Sequence, residues 1–243
     1  MKPARAVFFD LDETLLDGSG MRESIVRSCA KIAASRAGLD AARLVEANGN
    51  VWRSYWPEIE DKWTLGALDG ASVSLEAWRR TLRACGCDDE SVAMLALRTH
   101  LQHERESYRL FDDARDAITS LRRARVPLAL ITNGASDTQR EKLRILGAAE
   151  WFDAVVISGE VRAAKPDAAV FLRALAELAV ERGDAWHVGD SLSADVVGAK
   201  SAGLTAVWLN RRGVIRREGD PEPDVEIRSL SELTARWSAP VVT

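Results

Sequence analysis

The sequence is poor in cysteine, and the three cysteines that it has do not suggest a disulfide framework. Their number is odd, and Cys85 and Cys87 are separated by one residue, a spacing that matches neither a CxxC redox motif nor half of a zinc site. Cys29 lies far from both along the chain. We therefore expect three reduced thiols, which is typical of a cytoplasmic protein.

Long apolar runs and an excess of positive charge are also missing. No stretch approaches the ~18 consecutive apolar residues of a membrane span, and the short run after Lys2 and Arg5 stops at Asp10, unlike a signal peptide. The 37 acidic residues outnumber the 33 basic ones, whereas a nucleic-acid surface is expected to be basic. We therefore expect a cytoplasmic, globular protein with no membrane partner and no nucleic-acid partner.

A short stretch from Arg5 to Asp17, RAVFFDLDETLLD, carries the first sign of chemistry. Its apolar run, residues 6–9, is typical of a strand buried on both faces of a parallel sheet. Asp10 and Asp12 follow directly, and two charges ~4 Å apart interact by ~4 kcal/mol at an effective dielectric of 20. The pattern predicts a site in which these acids meet a cation or a proton, although an acidic, solvated turn with Thr14 as a helix cap has the same local sequence.

Helical periodicity dominates residues 18–110, and no convincing strand interrupts it. Residues 57–72 are the least regular part and are predicted to form a mobile loop. His100 and His103 are assigned to the solvent-facing side of the last helix. Four tryptophans of this segment either pack in a core or line a substrate pocket: Trp52, Trp56, Trp63 and Trp78. The predicted helices cover residues 21–37, 40–56, 74–84 and 90–108.

Strands and helices alternate over the rest of the chain. This alternation predicts an α/β fold with a doubly wound parallel sheet, in which ligands bind at the carboxyl ends of the strands. The predicted strands cover residues 127–132, 154–158, 185–188, 205–209 and 225–227. The predicted helices cover residues 112–124, 136–146, 166–182 and 194–202, with a last one from residue 231.

Polar residues follow these strands at the edge where ligands are expected. Thr132 and Asn133 end the second strand, Lys165 follows the third, and Asp190 ends the fourth, with Asp195 five residues later. Each has an ordinary alternative, because such residues also form turns, cap helices or lie in solvent. Their occurrence on one edge of one sheet favours a common site.

These motifs, in this order, resemble those of the haloacid dehalogenase superfamily of hydrolases. FFDLDETLLD is similar to its nucleophile motif, and ITNG, AAKP and VGDSLSAD are similar to its second, third and fourth motifs. The segment from ITNG to AAKPDAAVF resembles the branch that contains N-acylneuraminate-9-phosphatases and pyrimidine 5′-nucleotidases. The resemblance implies a core of residues 1–17 and 111–243, with a helical cap of the C1 type, residues 18–110, inserted after the first motif.

The resemblance also implies the roles of the acidic residues. Asp10 is the nucleophile that forms an aspartyl-phosphate, and Asp12 is the general acid and base, with its main-chain carbonyl facing a Mg²⁺ ion. Asp10 and Asp190 supply carboxylate ligands to the ion, as suits a hard cation. Asp195 is either a further ligand or an acceptor for ligand waters or Lys165, and the second role is favoured.

Phosphate binding falls to three residues by the same resemblance. The Thr132 hydroxyl and the main-chain amide of Asn133 donate hydrogen bonds to phosphoryl oxygens, and Lys165 adds a positive charge. The implied function is a Mg²⁺-dependent phosphatase that acts on a small phosphorylated metabolite, a nucleotide or a sugar phosphate, as a monomer or weak homodimer.

Three alternatives stay open. A haloacid dehalogenase of the same superfamily uses the carboxylate nucleophile without a metal, but it lacks the second aspartate, here Asp12. A phosphomutase shares the motifs. A binding protein that retains the fold is the non-enzymatic alternative, and it predicts the loss of at least one catalytic position.

Overall fold

Short apolar runs form the strands in the computed structural model, which describes residues 4–238. Six of them form one sheet in the order β5-β4-β1-β6-β7-β8, and every neighbouring pair is parallel. The remaining two pair with each other. The strands are β1 (Ala6–Phe9), β2 (Leu16–Asp17), β3 (Arg109–Leu110), β4 (Leu128–Thr132), β5 (Ala154–Ile157), β6 (Ala185–Gly189), β7 (Thr205–Leu209) and β8 (Val225–Ile227).

The predicted α/β fold with a doubly wound parallel sheet is confirmed. Apolar clusters cover both faces of the sheet, because alternate residues of each buried strand point to opposite sides. In the register, Phe9 of β1 aligns with Leu130 of β4 and with Val188 of β6. The carboxyl ends of the three central strands therefore meet at one edge.

The predicted helices occur in the predicted order over the described residues, but several bounds differ, and the short helix of residues 158–161 was not predicted. The second helix runs on through Pro57 to Thr64 and the third begins at Gly70, so the prediction of a loop over residues 57–72 is wrong except at residues 65–69. The helix predicted from Pro166 begins at Ala168. The α-helices are α1 (Met21–Ser35), α2 (Ala41–Thr64), α3 (Gly70–Ala84), α4 (Glu90–Ser107), α5 (Ala114–Arg123), α6 (Ser136–Leu146), α7 (Ser158–Val161), α8 (Ala168–Leu178), α9 (Val197–Ser201) and α10 (Leu230–Ser238).

Helices α1 to α4 pack on one another around apolar clusters of their own. Aspartates begin three of them: Asp40, Asp69 and Asp89 each accept a hydrogen bond from a backbone N–H of the first turn, which satisfies donors that a helix leaves free. The expected free thiols lie here, buried. No helix among residues 4–238 has the length and apolar character needed to cross a bilayer.

A two-stranded antiparallel ribbon joins the helices to the sheet. Leu16 pairs with Leu110 and Asp17 with Arg109, and the Asp17 carboxylate also binds the Arg109 guanidinium at 3.0 Å. The chain thus enters and leaves the helical segment at one place. The division into residues 1–17 and 111–243 on one side and 18–110 on the other stays a prediction, and its ends, 1–3 and 239–243, lie outside the described residues.

Candidate active site

Asp10 lies at the carboxyl end of β1, nearly buried, and an ammonium group binds it. The Lys165 Nζ donates to Asp10 Oδ1 at 2.5 Å and to Asp195 Oδ1 at 2.7 Å. Burial alone would lower the pKa of Lys165, but the two carboxylates outweigh it and raise that pKa. The amine is therefore fixed in its charged form between two acids that lie 185 residues apart in sequence.

Asp190 forms a cluster of acids with Asp10 and Asp195. Carboxylate oxygens of Asp10, Asp190 and Asp195 lie within 4.8 Å of one another. Burial raises the pKa of Asp10 to about 8 and that of Asp190 to about 6, and repulsion from Asp195 adds to both. When all three acids are ionised, as metal ligands are, the Lys165 ammonium offsets one of the three negative charges and two remain. Oxygen ligands with this charge fit a divalent hard cation.

Asp195 is held by groups on three sides. His187 Nε2 donates to its Oδ1 at 2.8 Å, and the backbone N–H of Ser191 donates to its Oδ2 at 3.0 Å, in addition to the bond from Lys165. Burial opposes ionisation here, but Lys165 and His187 keep the pKa of Asp195 below its ordinary value. These three donors occupy its oxygens, which favours the expected role as an anchor for Lys165.

Asp12 uses its side chain differently from the other acids. Lys142 Nζ donates to both of its oxygens, at 2.7 and 2.9 Å, and Gln139 Nε2 donates to Oδ2 at 3.0 Å. Burial raises the pKa of Asp12, but Lys142 and Gln139 outweigh it, so the net pKa lies below the ordinary value. The Asp12 side chain is not among the clustered carboxylates of residues 4–238, which fits the prediction that only its main-chain carbonyl faces a metal.

Of the residues predicted to bind phosphate, Thr132 ends β4 and Asn133 follows it, while Lys165 lies beside the acids. The Thr132 hydroxyl accepts a hydrogen bond from Gln139. The Asn133 side chain forms two hydrogen bonds with the backbone of Lys165, donating to its carbonyl at 3.0 Å and accepting from its N–H at 2.9 Å. Sequence analysis assigned only the Asn133 main-chain amide a role, and the structure adds that its side chain fixes the segment that carries Lys165.

A cavity of about 590 Å³ lies between the helices α1 to α4 and helix α6. Half-buried rings of Trp52, Trp56 and Trp63 line it, with Tyr108 at another wall. The tryptophan rings contact one another, with centroids 6.2 and 5.3 Å apart. Trp78 instead packs in the core. Three of the four tryptophans therefore line a cavity and one packs in the core, and the use of the cavity for substrate stays a prediction.

The polar wall of this cavity corrects one expectation. His100 and His103 were expected to face solvent, but both are buried. His100 lines the cavity with its Nε2 3.8 Å from a Glu104 oxygen, and its Nδ1 has no partner among the described residues. Burial lowers the pKa of His100 and raises that of the neighbouring Tyr108. This part of the wall thus offers hydrogen-bonding groups beside the Glu104 carboxylate, and other charged side chains also line the cavity: Arg22, Arg105, Asp137 and Glu141.

Contacts between α6, its neighbouring loops and the helical segment close the cavity at one end. The backbone N–H of Gly70 donates to both Asp137 oxygens, at 2.9 and 3.0 Å, and Ser158 Oγ donates to the Thr64 carbonyl at 2.6 Å. Gly134, in the loop after β4, lies against the Trp63 ring, where a Cβ would come within 2.6 Å. The tryptophan wall therefore lies directly beside the loop that follows Thr132 and Asn133, which are predicted to bind phosphate.

Sequence analysis missed three side chains of the site: Gln139, Lys142 and His187. Gln139 and Lys142 are three residues apart on α6 and lie on the same buried face as Leu143 and Leu146. Polar residues on the apolar face of a predicted helix were the available signal. His187 lies inside a buried strand, where a single histidine gives no pattern to follow.

Comparison with known proteins agrees with this geometry. A family model for haloacid dehalogenase-like hydrolases matches residues 4–203. The chain is 34% identical to N-acylneuraminate-9-phosphatase of Mus musculus, an alignment that covers 95% of this chain and 92% of that protein. It is 32% identical to phosphoserine phosphatase of Thermus thermophilus, over 94% and 97% of the two chains.

Solved structures of hydrolases superpose on the chain over most of its length. A HAD-hydrolase from Bacillus subtilis bound to magnesium superposes with a TM-score of 0.71 at 25% identity, covering 98% of this chain and all of that one. A 2-haloacid dehalogenase from Pseudomonas syringae superposes with a TM-score of 0.69 at 28% identity, over 96% and 99% of the chains. A magnesium-bound hydrolase and a haloacid dehalogenase therefore share this fold.

Proposed function

The chain belongs to the haloacid dehalogenase-like hydrolases, and we propose that it is a Mg²⁺-dependent phosphatase that hydrolyses a small phosphate monoester. The main support is the second carboxylate, Asp12, which Lys142 and Gln139 hold beside the nucleophile and apart from the acidic cluster. An alkoxide leaving group needs a proton from such an acid, whereas a halide leaves without one. The names of the curated relatives agree with this choice.

The reaction has two half-reactions. In the first, an oxygen of Asp10 attacks phosphorus, the phosphorus–oxygen bond to the alcohol breaks, and Asp12 gives the leaving alkoxide a proton. In the second, water attacks the phosphorus of the aspartyl-phosphate and gives a proton to Asp12, while the bond to Asp10 breaks. The Thr132 hydroxyl and the main-chain amide of Asn133 donate to the phosphoryl oxygens during both.

The acidic cluster would hold the metal. Asp10 and Asp190 supply carboxylate oxygens, and Asp12 supplies its main-chain carbonyl, while Asp195 remains hydrogen-bonded to Lys165. When bound, Mg²⁺ offsets the repulsion between the carboxylate nucleophile and the phosphate dianion. Lys165 contributes one positive charge that offsets the same repulsion, and its contact with Asp10 orients the attacking carboxylate.

The leaving group of the substrate would occupy the tryptophan-lined cavity. Aromatic walls suit a leaving group with an extended apolar face, and His100, Glu104 and Tyr108 suit its hydroxyl or amide groups. A sugar phosphate or a nucleotide has this combination, and both are small enough for the cavity of about 590 Å³. We propose one of these as substrate, bound by a monomer or weak homodimer with residues 18–110 as its cap.

Phosphate release from p-nitrophenyl phosphate tests this function. We expect turnover that requires Mg²⁺ and stops with EDTA, and loss of turnover in Asp10→Asn because an amide cannot act as the nucleophile. Asp116→Asn, an exposed aspartate on α5, is the matched control and should keep wild-type activity. Metal-independent release of chloride from 2-chloropropionate, without phosphatase activity, would instead make the protein a dehalogenase.

A screen of phosphorylated metabolites then tests the substrate class. Sugar phosphates, nucleotides and small phosphorylated acids should be compared by kcat/KM at saturating Mg²⁺. We expect the best substrate among the first two groups. A preference for phosphorylated acids without a ring would contradict the assignment of the tryptophan-lined cavity to the leaving group.

A further inference from the structure

Lys142 carries a buried amine that forms an ion pair with Asp12. Its side chain is 11% exposed, it contacts both oxygens of Asp12, and no second acid among the described residues pairs with it. Replacing a buried ion pair by apolar side chains is often neutral or even stabilising. The pair is therefore weak evidence of a role in stability, and its place on the core face of α6 points to a role at Asp12.

Gln139 links Asp12 to the phosphate-binding end of β4. Its amide nitrogen lies 3.0 Å from Asp12 Oδ2 and 3.1 Å from the carbonyl oxygen of Asn133, and it also donates to the Thr132 hydroxyl. Because the Thr132 oxygen accepts this bond, its own proton is free to point at a phosphoryl oxygen. Gln139 is fully buried, so this arrangement cannot be relaxed by solvent.

We propose that Lys142 and Gln139 are positioning residues that hold the Asp12 carboxylate in place for the hydrolysis of the aspartyl-phosphate. This inference rests on the phosphatase function proposed above. In that step a water oxygen bonds to phosphorus, the bond from phosphorus to Asp10 breaks, and the water proton passes to Asp12. The products are inorganic phosphate and the free Asp10 carboxylate.

The position of the Asp12 carboxylate needs to be fixed because the Asp12 side chain is more exposed than that of Lys142. The Asp12 side chain is 40% exposed, and the described residues that bond to its two oxygens, Lys142 and Gln139, both lie on α6. Without these donors the carboxylate can rotate toward solvent and leave the attacking water. General-base catalysis depends on hydrogen-bond distance to the proton being moved, so a small rotation suffices to slow the step.

The first half-reaction offers an internal control. With p-nitrophenyl phosphate the leaving phenolate needs little protonation, so formation of the aspartyl-phosphate depends weakly on Asp12. That step determines kcat/KM, whereas hydrolysis of the intermediate limits kcat once it becomes the slower step. Loss of positioning should therefore lower kcat and KM together and leave kcat/KM nearly unchanged.

Lys142→Met is the variant that tests the inference, in the full-length protein with saturating Mg²⁺. We expect kcat to fall about tenfold or more while kcat/KM changes by less than about threefold, given the usual 10²- to 10⁴-fold contribution of general acid–base catalysis. A rapid-quench measurement should show a burst of nitrophenolate, one per active site, as the intermediate accumulates. Lys142→Arg keeps the charge and should restore part of kcat.

Lys200→Met is the matched control. Its amine lies on α9 and donates to the Glu222 carbonyl, away from Asp12, so its kinetics should equal those of the wild type. If Lys142→Met fails to fold, Lys142→Gln, which removes the charge but keeps a polar side chain, provides the same comparison of kcat with kcat/KM.

Three results would overturn the inference while leaving the phosphatase function intact. They are wild-type kinetics in Lys142→Met, an equal fall in kcat and kcat/KM, and the absence of a burst when kcat has fallen. A wild-type protein that hydrolyses no phosphate ester would instead overturn the proposed function, and the inference with it.

Discussion

At the scale of single residues, Gly189 decides where Asp195 lies. It ends β6, and a Cβ there would come within 2.1 Å of the Asp195 carboxyl carbon. A contact this short cannot be accommodated without moving the carboxylate. The absence of a side chain at this position thus lets Asp195 reach both Lys165 and His187.

Gly189→Ala should therefore disturb the site more than the fold. We expect kcat/KM to fall about 10- to 100-fold and the Mg²⁺ concentration for half-maximal activity to rise, as happens when groups that orient metal ligands are displaced. Steady-state assays over a Mg²⁺ titration measure both. Gly183→Ala is the control, because a Cβ there meets no atom within 4 Å; equal effects of the two variants would contradict this explanation.

Much of the acidic site was predictable from single residues in sequence. Acids that directly follow buried strands, and a lysine further along after the third predicted strand, were expected on one edge of a parallel sheet, and Asp10, Asp190 and Lys165 lie together there. Gln139 and Lys142 were not predictable in the same way. Their role depends on the face that α6 presents to Asp12, which is set by packing between helix and sheet and not by the local sequence.

At the scale of elements, α2 shows how packing overrides local preference. A proline inside a helix removes a hydrogen bond and costs about 3 kcal/mol, and this favoured a helix end before Pro57. The helix continues because Tyr55, Ile59 and Trp63 pack against α3, with Ile59 and Tyr55 nearly buried. Strands were easier to predict, since their short apolar runs have no competing arrangement once both sheet faces are covered.

Gly49 in the same helix offers a stability prediction. A Cβ there meets nothing within 4 Å, so Gly49→Ala adds helix propensity without a clash and should raise the free energy of unfolding by about 0.5–1 kcal/mol. Gly86 has the same open surroundings but a φ of +81°, so Gly86→Ala should lower it by about 1 kcal/mol. Urea unfolding of both variants checks the signs, and a gain in both would contradict the backbone argument.

At the scale of the whole molecule, Asp113 connects parts of the chain that are far apart. It lies before α5 and accepts two hydrogen bonds from the Arg211 guanidinium, at 3.0 and 2.8 Å, and one from the backbone N–H of Leu230 at 2.8 Å. Arg211 in turn donates to the Thr14 carbonyl at 3.0 Å. One carboxylate thus holds the start of α10 and the loop after β7 against the turn that follows Asp12.

The stability contributed by Asp113 should depend on pH. Burial raises its pKa, but Arg211 and the Leu230 N–H outweigh it, so the folded pKa lies below the ordinary value of an aspartate. A lowered folded pKa means that the contribution is complete above that value and is lost as the pH falls below it. Asp113→Asn should therefore cost about 1–3 kcal/mol at neutral pH, and less in acid.

Urea unfolding of wild type and Asp113→Asn at neutral pH and near pH 3 measures this difference. Asp116→Asn, three residues along on the exposed side of α5, serves as the control and should change little at either pH. A difference between wild type and Asp113→Asn that is constant across this range would show that the carboxylate charge is not involved.

The overall architecture followed from the alternation of strands and helices, but the placement of α1 to α4 over the sheet did not. It depends on contacts such as that of Asp137 with Gly70 and that of Ser158 with Thr64. These join residues far apart in sequence through backbone groups, which leave no signature in the residue types. For the same reason, the composition of the tryptophan-lined cavity could be suspected from the sequence, but its distance from Asp12 could not.

The short ribbon of β2 and β3 brings the two ends of the helical segment together. Because Leu16 pairs with Leu110 and Asp17 with Arg109, the ends of residues 18–108 lie as close together as the two ends of a β-hairpin. A tight turn between Asp17 and Arg109 would close the remaining chain without stretching it. Because this one ribbon joins both ends of the segment, the length of the segment has no direct effect on the register of the six parallel strands.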